Sequence, residues 1–376
     1  MLTPLDETLM HQAPTTFDHA VTSDHRFFDR WAAGVQHPEL SIIYGLATYK
    51  NTDTCDGFLC VRRGDRQYNL RLSRPLRPNY AMSVGPLRIE VIEPLVAHRL
   101  VVEPSLGSPL HCDLVWRGSL PPREEHPHFQ RQNARAVQDY CRFDQLGTAT
   151  GWVGIGDERV DIRDWFSWRD HSWGVRPGMG GKDQVNAHPI RSGPHNELGS
   201  LFIWIAFRAG TVVGQFQLRA DSQGRPEMTD GYLIPDTDDP SVSLKVTDIR
   251  HDITFVNGHT VFSRARLQAT TADRQVWHFD ATPLRSPWDF SGAGYSGGWD
   301  DSEGLGVPRG EAIEIDEYDM SAPADVRLSD GSTRQHWHRE TDVALTVTDA
   351  GGAAVHGDGH LTIIARPPLG TPTIES

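Results

Sequence analysis

Lysine is almost missing. Three (Lys50, Lys182, Lys245) occur in 376 residues, so nearly all positive charge is arginine and a Schiff-base site has few candidates. Base is also outnumbered by acid, 36 to 50, for a net charge of −14. That balance excludes the basic patches a nucleic acid or an anionic membrane surface needs. Cysteine is sparse: Cys55, Cys60, Cys112 and Cys141 form no C-x-x-C pair, which argues against a disulfide framework or a zinc site. No apolar run approaches the roughly 20 residues needed to span a bilayer. The longest, 201–207, has strand length. The first residues lack the basic-then-apolar pattern of a secretory signal. These absences predict a cytoplasmic protein with no transmembrane segment and no nucleic-acid partner.

Helical periodicity is scarce too, confined to 127–140 and 25–33, where short helices are expected. Strand signals fill the rest. Short β-type runs recur at 40–49, 57–63, 67–73, 87–92, 98–102 and 113–116, and again from 148 to 365, punctuated by Pro, Gly, Asn and Asp. Several alternate, as in Ser241-Val242-Ser243-Leu244-Lys245-Val246-Thr247, the mark of half-buried antiparallel strands. The pattern predicts an all-β chain built as a barrel or sandwich. A Gly- and Pro-rich stretch at 177–194 divides it into residues 1–185 and 186–376, two β domains of similar length. A second loose region spans 286–310.

Against this background one segment stands out: Asp164-Trp165-Phe166-Ser167-Trp168-Arg169-Asp170-His171-Ser172-Trp173-Gly174-Val175-Arg176. Four large aromatics beside an Arg-Asp-His run suit an apolar cavity with a few ionisable groups aimed into it. Alternation in a strand puts Asp164, Phe166, Trp168, Asp170 and Ser172 on one face and Trp165, Ser167, Arg169, His171 and Trp173 on the other. Asp170 and His171 therefore point apart unless the strand bends, and Gly174 is placed to permit a bend.

The run Arg169-Asp170-His171-Ser172-Trp173-Gly174-Val175-Arg176 resembles the signature of a bacterial superfamily of tandem lipocalin-like barrels, which includes the AttH-like proteins and carotenoid 1,2-hydratase. Tyr140-Cys141-Arg142-Phe143-Asp144-Gln145, Gly151-Trp152-Val153-Gly154 and Gly304-Leu305-Gly306-Val307-Pro308-Arg309-Gly310-Glu311 are similar to its flanking pieces, so the resemblance covers about 140–320. It implies two lipocalin-like antiparallel β-barrels and a hydrophobic ligand held in one barrel or between them. It also implies work without a redox cofactor, and no Gly-rich phosphate loop opens a helix here. The hydratases' His-x-Trp pair corresponds to His171 and Trp173. Their Tyr-x-Asp pair has no counterpart in 201–207, which holds no carboxylate.

The expected function is a cofactor-independent lyase or isomerase of hydratase, dehydratase or cyclase type. It would act by acid–base chemistry on a hydrophobic terpenoid, steroid-like or polyketide substrate. Asp170 and His171 are the candidate catalytic pair. Trp165, Trp168, Arg169, Trp173, Arg176, Trp204 and Tyr295 are the candidate substrate contacts; indole faces can stabilise a developing cation and the arginines can orient a carboxylate. A non-catalytic carrier of an apolar molecule is the alternative. A second alternative is a metal enzyme using His336, His338, Glu340, His356 and His360, although their spacing is not diagnostic and no metal is expected. His126 and His128 read as an exposed loop. The acids Asp300, Asp301, Glu303, Glu311, Glu314, Asp316 and Glu317 read as solvated charge or, loosely, a calcium loop.

Overall fold

A computed structural model describes residues 1–366 apart from 12, 106, 133–134, 182–199, 296, 323–324 and 336–339. The expected domain boundary at 185/186 lies outside the described residues, as do His336 and His338.

The chain is all-β. Phe27–Val35, Leu40–Tyr49, Thr54–Arg63 and Arg66–Pro75 form one antiparallel meander. Leu87–Glu93, Ala97–Val102, Leu110–Gly118, Arg135–Ile155 and Glu158–Val175 form another. Phe27–Val35 pairs with Glu158–Val175 and fuses the two into one large sheet. Its ends curl together: Arg74 Nε donates to the Ser83 carbonyl, and Val84 packs against Gly57. The enclosed face holds an aliphatic core that includes Leu46, Leu59, Leu72, Leu100 and Leu114.

The second unit is a closed eight-stranded barrel running from Ser200–Ala209 to Ala354–Arg366, which pair to close it. Its interior is filled by side chains. Phe207, Phe216 and Phe279 meet edge to face with centroids 5.0–6.3 Å apart, the favoured aromatic geometry.

Between two barrel strands, Val276–Pro283 and Glu340–Thr348, the chain returns to the first sheet. Ala312–Asp319 pairs with Arg66–Pro75, and Asp325–Arg327 and Thr333–Gln335 extend that edge. Trp288, Phe290 and Ala293 cover the outer side of Ile43, Phe58 and Cys60. Both faces of the first meander are thus buried, which is why residues 40–49 read as nearly continuous apolar sequence. The acids expected to be solvated are largely ion-paired: Glu314 and Asp316 with Arg71, Asp301 with Arg309, and Glu317 with Arg66.

Two expectations of helix fail. Residues 25–33 and 127–140 are strand, in Phe27–Val35, His128–Gln132 and Arg135–Ile155. Cross-strand pairing, with His128 opposite Tyr140, overrides a weak helical spacing. The only helical elements among the described residues are three short 3-10 turns, and no helix there is long and apolar enough to cross a membrane. The four cysteines are free thiols.

Candidate functional site

The Arg-Asp-His segment lies in the strand Glu158–Val175, between Phe27–Val35 and Arg135–Ile155. Asp170 stands between Ala32 and Asp144, and His171 between Trp31 and Phe143. The strand stays regular through this pair, so alternation sends the two to opposite faces of the sheet. Gly174 sits at φ +134°, where an added Cβ would lie 2.3 Å from the Asp139 carbonyl oxygen. No other residue fits there.

Trp168 and Asp170 face outward, toward the second barrel. There a cavity of about 350 Å³ opens between the first sheet and the outer surface of that barrel. Trp168 meets Trp204 edge to face at 5.4 Å and forms the apolar floor with Phe202. The indole fits only because Gly34 lies beneath it; a Cβ there would come within 2.6 Å of the ring. Arg176 and Tyr295 line the same space, the Arg176 guanidinium donating to the Tyr295 hydroxyl at 3.3 Å. Five candidates thus gather here: Asp170, Trp168, Arg176, Trp204 and Tyr295.

Other lining groups were not legible as site residues. His128 is 3% exposed and stacks on Tyr140 at 4.3 Å, in contrast to the exposed loop expected. Its Nδ1 accepts from Arg219 at 3.3 Å, so Nε2 carries the hydrogen and donates to Glu125 at 2.6 Å. Burial pushes the imidazole below its usual pKa, and the Glu125 carboxylate only partly offsets this. His128 is therefore a neutral base near pH 7.

Behind it Glu125 and Asp144 form a buried acid pair. Burial and the Glu125 charge push Asp144 well above the carboxylate range. Burial also acts to raise Glu125, but Arg142 and His128 outweigh it and hold that carboxylate low. Two buried carboxyls in mutual contact do not both ionise, so the pair keeps one proton, on Asp144. Arg142 links the pair to Asp170, at 3.6 Å from Glu125 and 3.2 Å from Asp170. The signal in the sequence was the alternation Tyr140, Arg142, Asp144, which puts these three on one strand face.

The described C-terminal histidines, His356 and His360, do not form a metal centre. Among the described residues no three His, Cys, Asp or Glu side chains converge to hold an ion. His360 instead bridges two acids, Glu340 at 3.0 Å and Asp342 at 3.4 Å. Burial acts to lower its pKa, but the two carboxylates outweigh this and raise it to about 9. The protonated ring lies against Trp168 at 4.6 Å, so it supports the cavity floor. His356 bonds Thr346 elsewhere on the barrel surface.

The remaining candidates point into the first sheet. Arg169 is buried, donates to Gln145 Oε1 and lies over the rings of Trp116, Trp31 and Phe143 at 4.6–5.4 Å. His171 bonds Asp29 at 2.7 Å and lies edge-on to Trp173, itself 40% exposed. Both border a cavity of about 500 Å³ beneath the N-terminal segment. Trp165 stacks on His37 at 4.1 Å, away from both cavities.

A curled antiparallel sheet beside a closed barrel, with a polar-lined cavity between them, defines a tandem lipocalin-like protein. The fold is shared with an AttH-designated protein of Nitrosomonas europaea, at a TM-score of 0.50 and 12% identity over 93% of this chain and 98% of that one. It is shared equally with kievitone hydratase of Nectria haematococca, at a TM-score of 0.50 and 9% identity over 89% and 88% of the two chains. At such identities the likeness is one of fold. No curated protein matches the sequence. The chain belongs to DUF8625, a family of unknown function, whose model matches residues 2–352.

Proposed function

We propose that the protein is a cofactor-independent lyase or isomerase of hydratase type, acting on an apolar small molecule in the cavity between the two units. The observation that carries this is the pairing of a neutral, carboxylate-backed histidine, His128, with a carboxyl group, Asp170, in one cavity floored by indoles. A fold shared with a hydratase supports the reaction class.

In the hydration direction, Asp170, ion-paired with Arg142 before reaction, takes up a proton from solvent and gives it to one alkene carbon. Water adds to the neighbouring carbon and gives its second proton to Nδ1 of His128, which gives up its hydrogen bond from Arg219 to take it. Glu125 accepts from Nε2 and stabilises the imidazolium that forms, as the carboxylate of a catalytic triad does. His128 then returns the proton to Asp170 through water, and H and OH have added across the double bond. Trp168 and Trp204 present π faces to a cationic transition state. His171, expected as the base, faces the opposite cavity, and His128 takes that role.

The test is a comparison of metabolite consumption by wild type, Asp170→Asn and His128→Gln in extracts of a producing cell, followed by mass spectrometry. General acid–base groups contribute roughly 10²–10⁴-fold, so each variant is expected to lose at least a hundredfold in rate while still binding the consumed molecule. Unchanged rates in both variants would overturn the assignment. Binding without turnover in the wild type would favour a carrier.

A further inference from the structure

We infer that the cavity contains an anion subsite built on Arg30, and that its ligand is an apolar molecule bearing an acidic oxygen, a carboxylate or an ionised enol or phenol. This rests on the cavity being the ligand site proposed above. Arg30 is 4% exposed and lines the cavity. No acid lies within ion-pair distance of it among the described residues, and its Nη2 is buried without a hydrogen-bond partner. Among the described residues its ring neighbours are Tyr295 at 5.0 Å and Phe58 at 5.5 Å, and the charges of Asp170 and Glu340 act on it from beyond ion-pair distance.

Other buried guanidiniums in the first sheet have an acid or backbone carbonyl as partner, although Arg62 and Arg142 each keep an unbonded Nε. Arg71 pairs with Glu314 and Asp316, Arg62 donates to the Ser286 and Pro287 carbonyls, and Arg142 faces Asp170 and Glu125. The charges around the cavity do not balance either. Among the described residues, five arginines line it against two carboxylates, Asp170 and Glu340. Those two are already engaged, by Arg142 and by His360. Removing an unpaired cation from water is costly, and the cost is recovered when a bound anion supplies the missing partner. A guanidinium with a free N–H fork is suited to a carboxylate or enolate oxygen.

The position adds a constraint. Arg30 and Asp170 share a sheet face on adjacent strands, offset by two residues, with Ala32 directly opposite Asp170. Diagonal neighbours of this kind lie roughly 7–8 Å apart. Asp170 also has a free atom, Oδ1, without a hydrogen-bond partner. An oxygen anchored on Arg30 therefore sets a carbon a few bonds away beside Asp170, as in an unsaturated acid.

Calorimetric titration with 2-naphthylacetate and its neutral counterpart 2-naphthylethanol tests this on the intact protein. The acid is expected to bind wild type at least tenfold more tightly than the alcohol. Arg30→Met is expected to abolish that preference and leave alcohol affinity unchanged. Equal affinity of the two probes for wild type, or a preference that survives Arg30→Met, overturns the subsite and leaves the cavity reading intact. Binding of neither probe overturns both. Should Arg30→Met fail to fold, the wild-type ratio of acid to alcohol decides alone.

Discussion

His360 makes the stability of the second barrel depend on pH in a direction opposite to that of an ordinary buried histidine. Its folded pKa is about 9, because Asp342 and Glu340 outweigh the burial that acts against its charge. An unfolded histidine titrates near 6.5. At about 1.4 kcal/mol per pH unit, the difference amounts to about 3 kcal/mol. Because the folded value is raised, this stabilisation is fully present below about pH 6.5 and is lost as pH climbs through about 9. Urea unfolding between pH 6 and 10 would measure it, followed by tryptophan fluorescence, since Trp168 and Trp204 lie 4.6 and 6.1 Å from the imidazole. His360→Gln is the control. It removes the titration and also takes away the cation that Asp342 and Glu340 share, leaving Asp342 with Arg285 at 3.6 Å, a loss of about 3 kcal/mol at pH 6. The two stability curves should converge as pH rises. Parallel curves would show that His360 does not carry the buried proton.

Three further outcomes follow from packing and charge. Gly34→Ala places a methyl group within 2.6 Å of the Trp168 ring and should cost about 1–3 kcal/mol, with a changed near-UV spectrum; an unaltered spectrum contradicts the cavity floor. Phe279→Ala opens the aromatic centre of the closed barrel and should cost about 3–5 kcal/mol in urea unfolding, against under about 1 kcal/mol if the interior were loose. Glu125→Gln removes the carboxylate that raises His128 against burial, so the His128 pKa should fall further in an NMR titration; a rise would contradict the hydrogen bond to Nε2.

Much of the fold was legible because it depends on local pattern. Alternation and turn residues mark most strands, and the strand face shared by Trp168 and Asp170 follows from a period of two. The same period showed that Asp170 and His171 diverge. What was not legible depends on partners distant in sequence. His128 reads as a loop residue until it pairs opposite Tyr140, and residues 127–140 read as helix because pairing is invisible locally. Glu340 and His360, 20 residues apart, suggest metal ligands by residue type, yet the barrel register brings them together with Asp342 as a proton-holding set. Arg30 carries no local signal at all. Its significance is the absence of a partner, which only the folded surroundings reveal.

The central claim is that the cavity between the sheet and the barrel holds the ligand. Native mass spectrometry with denaturing extraction, on gently purified wild type and on Ala32→Trp, tests it most directly, because Ala32 lines that cavity and an indole there would fill much of its roughly 350 Å³. An apolar, acidic small molecule retained by wild type and lost from a folded Ala32→Trp variant is the predicted result. The same molecule retained equally by both proteins would place the site elsewhere, with the cavity beside His171 the first alternative, and would contradict the account.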